Sequence, residues 1–285
     1  MHYLSYLWRS VLLLGLVCSC TQQNIQERTQ GFISLSPAIT ETIFALGAQD
    51  KLIGRSDYCH FPSEAQTLPS FGTALTPNLE QIAQKKSEGL LFDGAFGSPK
   101  KELSAISEIH VYPWLSSKDM ASSIEKLGDV MEKPKEANAL AQKIRTVLAP
   151  KIDASSPSMI ALMSGSDLKS GVFWYMRADS LHGEAVEAAG FRNVAPKDIH
   201  GTPNMSAEAL LAQDPDLIIF ICSPEIDTKA AQKFVDQMSR FPTLKAVQNK
   251  RVGYIIGENR MGIGPTITDL VYDIQREGSA LLDTK

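Results

Sequence analysis

Two similarly placed glutamates, a run of three aromatics and a scatter of histidines, cysteines and arginines are the residues with which this chain could do chemistry. The five histidines, His2, His60, His110, His182 and His200, stand singly, without the spacing by which two imidazoles on one helix face hold a metal. His60 and His200 lie in loop-like stretches, where each could ligate a metal centre or hydrogen-bond the polar edge of a ligand. No glycine-rich phosphate loop, nucleophile elbow or zinc motif is present, and Gly262-Ile263-Gly264-Pro265 reads as a loop before a helix. A hydrolase would need a nucleophile and base that the chain does not pair, so no catalytic residue, metal or resident cofactor is expected. Phe173-Trp174-Tyr175, after the glycine-rich Ser164-Gly165-Ser166 and Gly171, suits the rim of a cleft, with ordinary packing as the other reading. Arg177, Arg192 and Arg260 could pair with anionic groups on a ligand.

The N-terminus belongs to targeting rather than to the fold. Residues 1–20 carry one charged side chain, Arg9, then the apolar run Val11 to Val17, well short of the roughly 20 residues a membrane-spanning helix needs. The end of the run, Val17-Cys18-Ser19-Cys20, resembles a bacterial lipobox, which makes Cys20 the expected lipidation site, with plain secretion as the alternative. Residues 1–19 are thus expected to be a lipoprotein signal peptide and residues 20–30 a polar tether. Removal of the signal leaves Cys59 and Cys222, too few for a disulfide scaffold; they are two free thiols, one bridge or ligand contacts.

The whole chain has 285 residues, 44% hydrophobic and 21% charged, enough to bury a core of about two domains. Its net charge of −4 offers no global positive field for nucleic acid.

Elements that must position the candidate residues follow from periodicity. Residues 32–36 form a β-type run; residues 40–47 have helical spacing and end in a glycine; 51–54 is the next strand, 78–86 a helix and 89–92 a buried strand. This alternation predicts an α/β fold with a parallel sheet and helices on both faces. A second copy follows, with strands at 159–163 and 217–221 and a helix at 184–190. Asn78-Leu79-Glu80-Gln81-Ile82 aligns with Ser206-Ala207-Glu208-Ala209-Leu210 at an offset of 128, which makes Glu80 and Glu208 equivalent. Glu41 to Gly47 aligns with Glu184 to Gly190 at an offset of 143. A repeat this long implies two similar Rossmann-like lobes rather than a solenoid. Residues 117–148 repeat apolar positions at helical intervals and predict one long, rigid connecting helix of roughly 45 Å, with Pro134 as a kink or as the first residue of a second helix. The expected organisation is an N-terminal lobe over 31–115, the connection over 116–153 and a C-terminal lobe over 154–285.

The run Ile33-Ser34-Leu35-Ser36-Pro37 through Gly47, then Asp57-Tyr58-Cys59-His60-Phe61-Pro62, Gly72 and Pro77-Asn78-Leu79-Glu80, resembles the helical-backbone (class III) periplasmic binding proteins of ABC importers, which carry cobalamin, ferric siderophores or haem. The likeness extends from about residue 31 to the C-terminus, and within the family the Tyr58 and Glu80 motifs look most like the cobalamin-binding branch. The resemblance implies a monomeric solute-binding lipoprotein, periplasmic or at the cell surface, that passes a corrinoid to a permease dimer with its ATPase subunits. A siderophore or haem ligand is the alternative, the arginines favouring the former. The resemblance further implies ligand contacts from Ser36, Pro37, Tyr58, Phe96, Phe173, Trp174, Thr202 and Arg260, and permease docking through Glu80 and Glu208. It departs from the cobalamin binders where they place cleft tryptophans; this chain has Gly94 or Phe96 in one lobe and Thr202 in the other.

Overall fold

A computed structural model describes residues 30–94, 100–166, 170–197 and 203–283. The first lobe runs β1 (Phe32–Ser34), α1 (Pro37–Ala45), β2 (Leu52–Arg55), α2 (Leu79–Lys85), β3 (Gly89–Phe92), α3 (Lys100–Ser104) and β4 (Ile109–Val111). Two helices follow, α4 (Ser117–Val130) and α5 (Pro134–Val147). The second lobe begins with β5 (Ser158–Met163), β6 (Val172–Trp174), α6 (Leu181–Ala188), β7 (Arg192–Asn193) and β8 (Asn204–Ser206). It continues with α7 (Ala207–Gln213), β9 (Leu217–Cys222), α8 (Thr228–Gln237), α9 (Lys245–Gln248), β10 (Val252–Ile256) and α10 (Ile267–Asp283).

Both main sheets are parallel, ordered β2-β1-β3-β4 and β7-β5-β9-β10. The two orders are the same topology, so the repeat read from the sequence is a structural duplication. Its local chemistry matches as well. Ser36 and Ser180 cap α1 and α6, each side chain accepting a backbone N–H in the first turn. Asn78 and Ser206 do the same for α2 and α7. Lys86 and Asp214, 128 positions apart, both end their helices with positive φ, 50° and 40°. β3 and β9 are buried along their whole length, as expected of parallel strands covered on both faces.

The connection departs from a single rod. Pro134 is the first residue of α5, and Glu132 turns the chain with φ 59°, so α4 and α5 fold back on each other as a hairpin. Gly128 permits the contact: a Cβ there would lie 2.1 Å from the Ala137 Cβ. Arg145 spans the pair with a two-pronged bond to Glu125, at 2.7 and 2.8 Å. The hairpin's apolar residues, among them Met120, Ile124, Ala141 and Ile144, join one core cluster that also contains Ile39 and Ile43 of the first lobe and Leu181, Ile267 and Leu270 of the second. The lobes thus share a continuous apolar core.

Polar contacts reinforce that junction. Glu41 of α1, 4% exposed, accepts the Thr266 N–H at 2.6 Å and the Asn259 amide at 2.5 Å, both from the β10–α10 loop. Gly264 closes over this carboxylate, since a Cβ there would overlap it. Trp114 donates its indole N–H to the Ile263 carbonyl at 2.7 Å, and the Ser117 N–H binds Glu184 of α6 at 2.9 Å. Cys59 and Cys222 are both buried and unpaired, which removes the bridge among the three readings of these thiols. Among the described residues no helix is long and apolar enough to cross a membrane.

Two outcomes follow. Gly128→Val should destabilise the fold by about 1–3 kcal/mol in urea unfolding, because the hairpin has no room for a branched side chain. Burial raises the Glu41 carboxyl above its ordinary value of 4.5, against the opposing bonds from Thr266 and Asn259. A raised folded pKa means that this stabilisation is complete below pH 4.5 and is lost as the pH climbs through the raised value. Stability measured for the wild type relative to Glu41→Gln should therefore fall over that window; a difference flat with pH would remove Glu41 as the titrating group.

Candidate functional site

In an open parallel sheet both faces are covered by helices, so ligands meet the carboxyl ends of the strands, where neighbouring strands send their chains in opposite directions. In the first lobe that point lies between β1 and β3. Ser36 follows β1, Asp93 follows β3, and the Ser36 hydroxyl donates to the Asp93 carboxylate at 2.8 Å. In the second lobe the equivalent point lies between β5 and β9, and there the Ser223 N–H donates to the Ser164 hydroxyl oxygen at 3.4 Å. Two topologically equivalent polar floors result.

Loops at these strand ends face one another across the lobes. The Trp114 bond to Ile263 joins the loop after β4 to the loop after β10. His60, after β2, lies near enough to Glu225, after β9, for its charge to favour the Glu225 carboxylate. The main influence on Glu225 is the Ser223 hydroxyl, which, with the residue's own backbone N–H, holds the carboxyl below its usual range.

The rim residue with the largest free aromatic surface is Tyr58, 65% exposed. Its loop is pinned from beneath. The Cys59 N–H binds the Ser56 carbonyl at 3.1 Å, the Tyr58 N–H the Ser56 hydroxyl oxygen at 3.3 Å, and Arg55 donates to the Ser56 carbonyl at 2.8 Å. Cys59 turns inward, where its thiol accepts the Thr40 hydroxyl at 3.1 Å and burial pushes its pKa up. The ring of Tyr58 is therefore presented by an ordered loop, at little entropic cost on contact. Leu115, after β4, adds an exposed apolar side chain at 68%.

The other expected contacts are distributed unevenly. Ser36 caps α1 beneath the floor, and Pro37 is the exposed first residue of that helix. Trp174 is half-buried on β6, with its backbone N–H bound to the Ser166 hydroxyl oxygen at 3.0 Å. Phe173 is a correction: alternation along β6 points it inward, fully buried and edge-on to Phe241 at 5.5 Å, so it packs the core instead of lining a rim. Tyr175, 1% exposed, is buried likewise. Arg260 is turned onto α10, with Nε 2.6 Å from Asp273 and a terminal nitrogen 3.7 Å from Asp269, and so fastens its loop rather than reaching a ligand. Phe96, Thr202, His200 and Cys20 lie outside the described residues.

Glu80 and Glu208 occupy the second position of α2 and α7, and both are exposed. Glu80 accepts a bond from Gln84 at 3.2 Å; the Ser206 hydroxyl and its own backbone N–H hold the Glu208 carboxyl below its usual range. Asp93, Glu225, Ser164 and Ser223 were not singled out by motif, yet each stands within three residues of the end of a buried strand in the sequence, a signal that strand-end reading would use. A separate cavity of about 970 Å³ lies beside β2, walled by α1, α5 and the start of α10.

Among the described residues no group of His, Cys, Asp and Glu is arranged to hold a metal ion. The chain is similar to the vitamin B12-binding protein of Yersinia pestis (strain Pestoides F), at 26% identity over 239 residues, 81% of this chain and 79% of that protein. Its fold is similar to the periplasmic vitamin B12 binding protein of Vibrio cholerae, with a TM-score of 0.68 and 21% identity over 90% of this chain and 99% of that one. It is equally similar to a periplasmic heme binding protein from Pseudomonas aeruginosa, with a TM-score of 0.70 and 20% identity over 90% and 94%. The periplasmic binding protein family matches residues 33–258, from the first strand of one lobe past the last strand of the other, and the chain belongs to that family.

Proposed function

We propose that this protein is the solute-binding lipoprotein of an ABC importer, which captures a corrinoid between its lobes and delivers it to a permease dimer with ATPase subunits. The family is one of solute-binding proteins, and the reading assigns the chain no catalysis. The observation that carries the proposal is the polar pair at the equivalent switch point of each lobe, together with an exposed Tyr58 on a pinned loop after β2. A flat macrocycle offers an aromatic ring a broad apolar face while the phenol hydroxyl stays in water. The corrinoid is favoured over other macrocycles by the vitamin B12-binding relatives along 81% of the chain. Ser36, Pro37, Tyr58 and Trp174 are the described residues proposed to meet the ligand, with Phe96 and Thr202 completing the set.

Delivery is assigned to Glu80 and Glu208. Two exposed carboxylates on duplicated helices can take one arginine from each of two permease subunits and so fix the docking orientation. Cys20 is the proposed lipid anchor, which keeps a monomer at the outer side of the membrane, in the periplasm or on the cell surface. The continuous core and the Glu41 contacts imply that capture proceeds with little lobe closure.

Visible absorption and calorimetric titration of the mature protein against cobalamin, cobinamide, haem and a ferric hydroxamate test the ligand. One-to-one binding of the corrinoids alone is expected, and Tyr58→Ala should weaken it by about 1 kcal/mol or more. Binding of haem or the hydroxamate alone would overturn the corrinoid assignment and leave the family untouched. Glu80→Ala and Glu208→Ala should each leave ligand affinity unchanged and cost about 2 kcal/mol of docking, read as lost stimulation of the transporter ATPase in proteoliposomes. Loss of ligand binding with docking intact would sink the docking assignment.

A further inference from the structure

The cavity beside β2 lies where three parts of the chain meet: α1, β2 and the segment after β2 from the first lobe, α5 from the connection, and the start of α10 from the second lobe. Its volume, about 970 Å³, stands at the upper end of what small-molecule sites enclose. None of Ser36, Tyr58, Asp93, Ser164, Trp174 and Ser223 lines it, so it is distinct from the strand-end site. Its walls are mainly hydrocarbon, supplied by Phe44, Leu52, Ile53, Phe61, Leu68 and Leu140. They are also held in place. The stretch from Phe61 to Pro69 turns through a short 3₁₀ helix, Ser63–Thr67, in which the Thr67 hydroxyl donates to the Glu64 carbonyl at 2.8 Å and the Gln66 amide to the His60 carbonyl at 3.0 Å. At the start of α10 the Thr268 hydroxyl donates to the Pro265 carbonyl at 3.1 Å. A cavity framed in this way exists before anything enters it, and an occupant meets it at little ordering cost.

We infer that this cavity is a second binding site, which takes an uncharged, hydrocarbon-rich small molecule. The inference goes beyond the corrinoid reading and does not depend on it. The charged side chains on the wall carry both signs, Glu64 and Asp269 beside Lys85 and Lys143, so a charged ligand meets no field of one sign. The acids are bonded within the protein as well. Glu41 gives its oxygens to Thr266 and Asn259, Asp269 lies 3.7 Å from a terminal nitrogen of Arg260, and Glu64 accepts the Ser63 hydroxyl at 3.3 Å. Lys143 is exposed, where an ion pair with a ligand carboxylate is worth little. A ligand carboxylate or ammonium would thus give up its hydration for weak pairing. An apolar body gains instead, because contact with these walls removes hydrocarbon surface from water on both partners, and apolar cavities in proteins take up neutral hydrocarbons on that basis. Since the walls come from both lobes and the connection, an occupant also ties the three together and binds the folded chain in preference to the unfolded one.

Decanol, decanoate and decylammonium share one alkyl chain and differ in the charge of the head group, which makes them the probes. In competition against Nile red fluorescence on the mature protein at about pH 7, decanol should bind about tenfold or more tighter than either ion. Increasing decanol should also raise the unfolding temperature. Ala45, the exposed last residue of α1, and Leu140 of α5 both line the cavity. Ala45→Trp fills it from the surface and should weaken decanol binding by about tenfold or more while leaving the cobinamide titration unchanged. Leu140→Trp serves if that variant fails to fold. Binding of decanoate or decylammonium as tight as that of decanol would overturn the uncharged class, and binding of none of the three would overturn the site. Decanol binding undiminished in a folded variant, or lost together with cobinamide binding, would put the alcohol elsewhere and overturn the inference as well.

Discussion

Each sheet in this protein is parallel and short, and a parallel sheet must hide both of its faces. That single constraint arranges the rest. It places α1 and α2 on opposite faces of the first sheet, so that Leu52 and Leu91 belong to one apolar cluster and Ile53 and Leu90 to another. It makes β3 and β9 continuous apolar runs. With the faces covered, polar chemistry is confined to the strand ends, and the duplicated strand order places a floor at the same topological point in each lobe.

The second organising feature is how firmly the halves are joined. A core cluster crosses from α1 through the α4–α5 hairpin to α6 and α10, and repacking it would expose apolar surface at about 25 cal/mol per Å². The buried Glu41 adds direction to that adhesion. Its carboxylate is costly to bury and is tolerated because Thr266 and Asn259 supply donors at short range from the other lobe. In such a frame the proposed recognition rests on groups already in place, the Tyr58 loop held by Ser56 and the Ser36–Asp93 pair, with little large-scale movement.

Much of this was legible from the chain. Alternating β and helical periods located β1, β2, β3, β5 and β9 to within a residue or two, because parallel strands advertise themselves as unbroken apolar runs. The offsets of 128 and 143 fell on topologically equivalent helices, down to the left-handed ends at Lys86 and Asp214. The connection was read less well. Apolar spacing continues smoothly through residues 117–148 on either side of Pro134, so periodicity by itself does not distinguish one rod from two helices folded together. Only the packing of Gly128 on Ala137 decides for the hairpin.

The sequence by itself determined what is local or repetitive: the α/β class, the two lobes, the helix caps, and the equivalence of Glu80 and Glu208. These follow from hydrogen bonds and burial patterns within a few turns of chain, or from comparison of the chain with itself. Only the tertiary structure decided which way individual side chains look. Phe173 and Trp174 are neighbours of one chemical kind, yet the pleat sends one into the core beside Phe241 and leaves the other half-exposed. Arg260 is drawn to α10 by Asp273, thirteen residues on, while Ser36 meets Asp93 across 57 residues and Glu41 meets Thr266 across 225. Such pairings depend on distances that exist only after both sheets have formed, and no pattern along the chain encodes them.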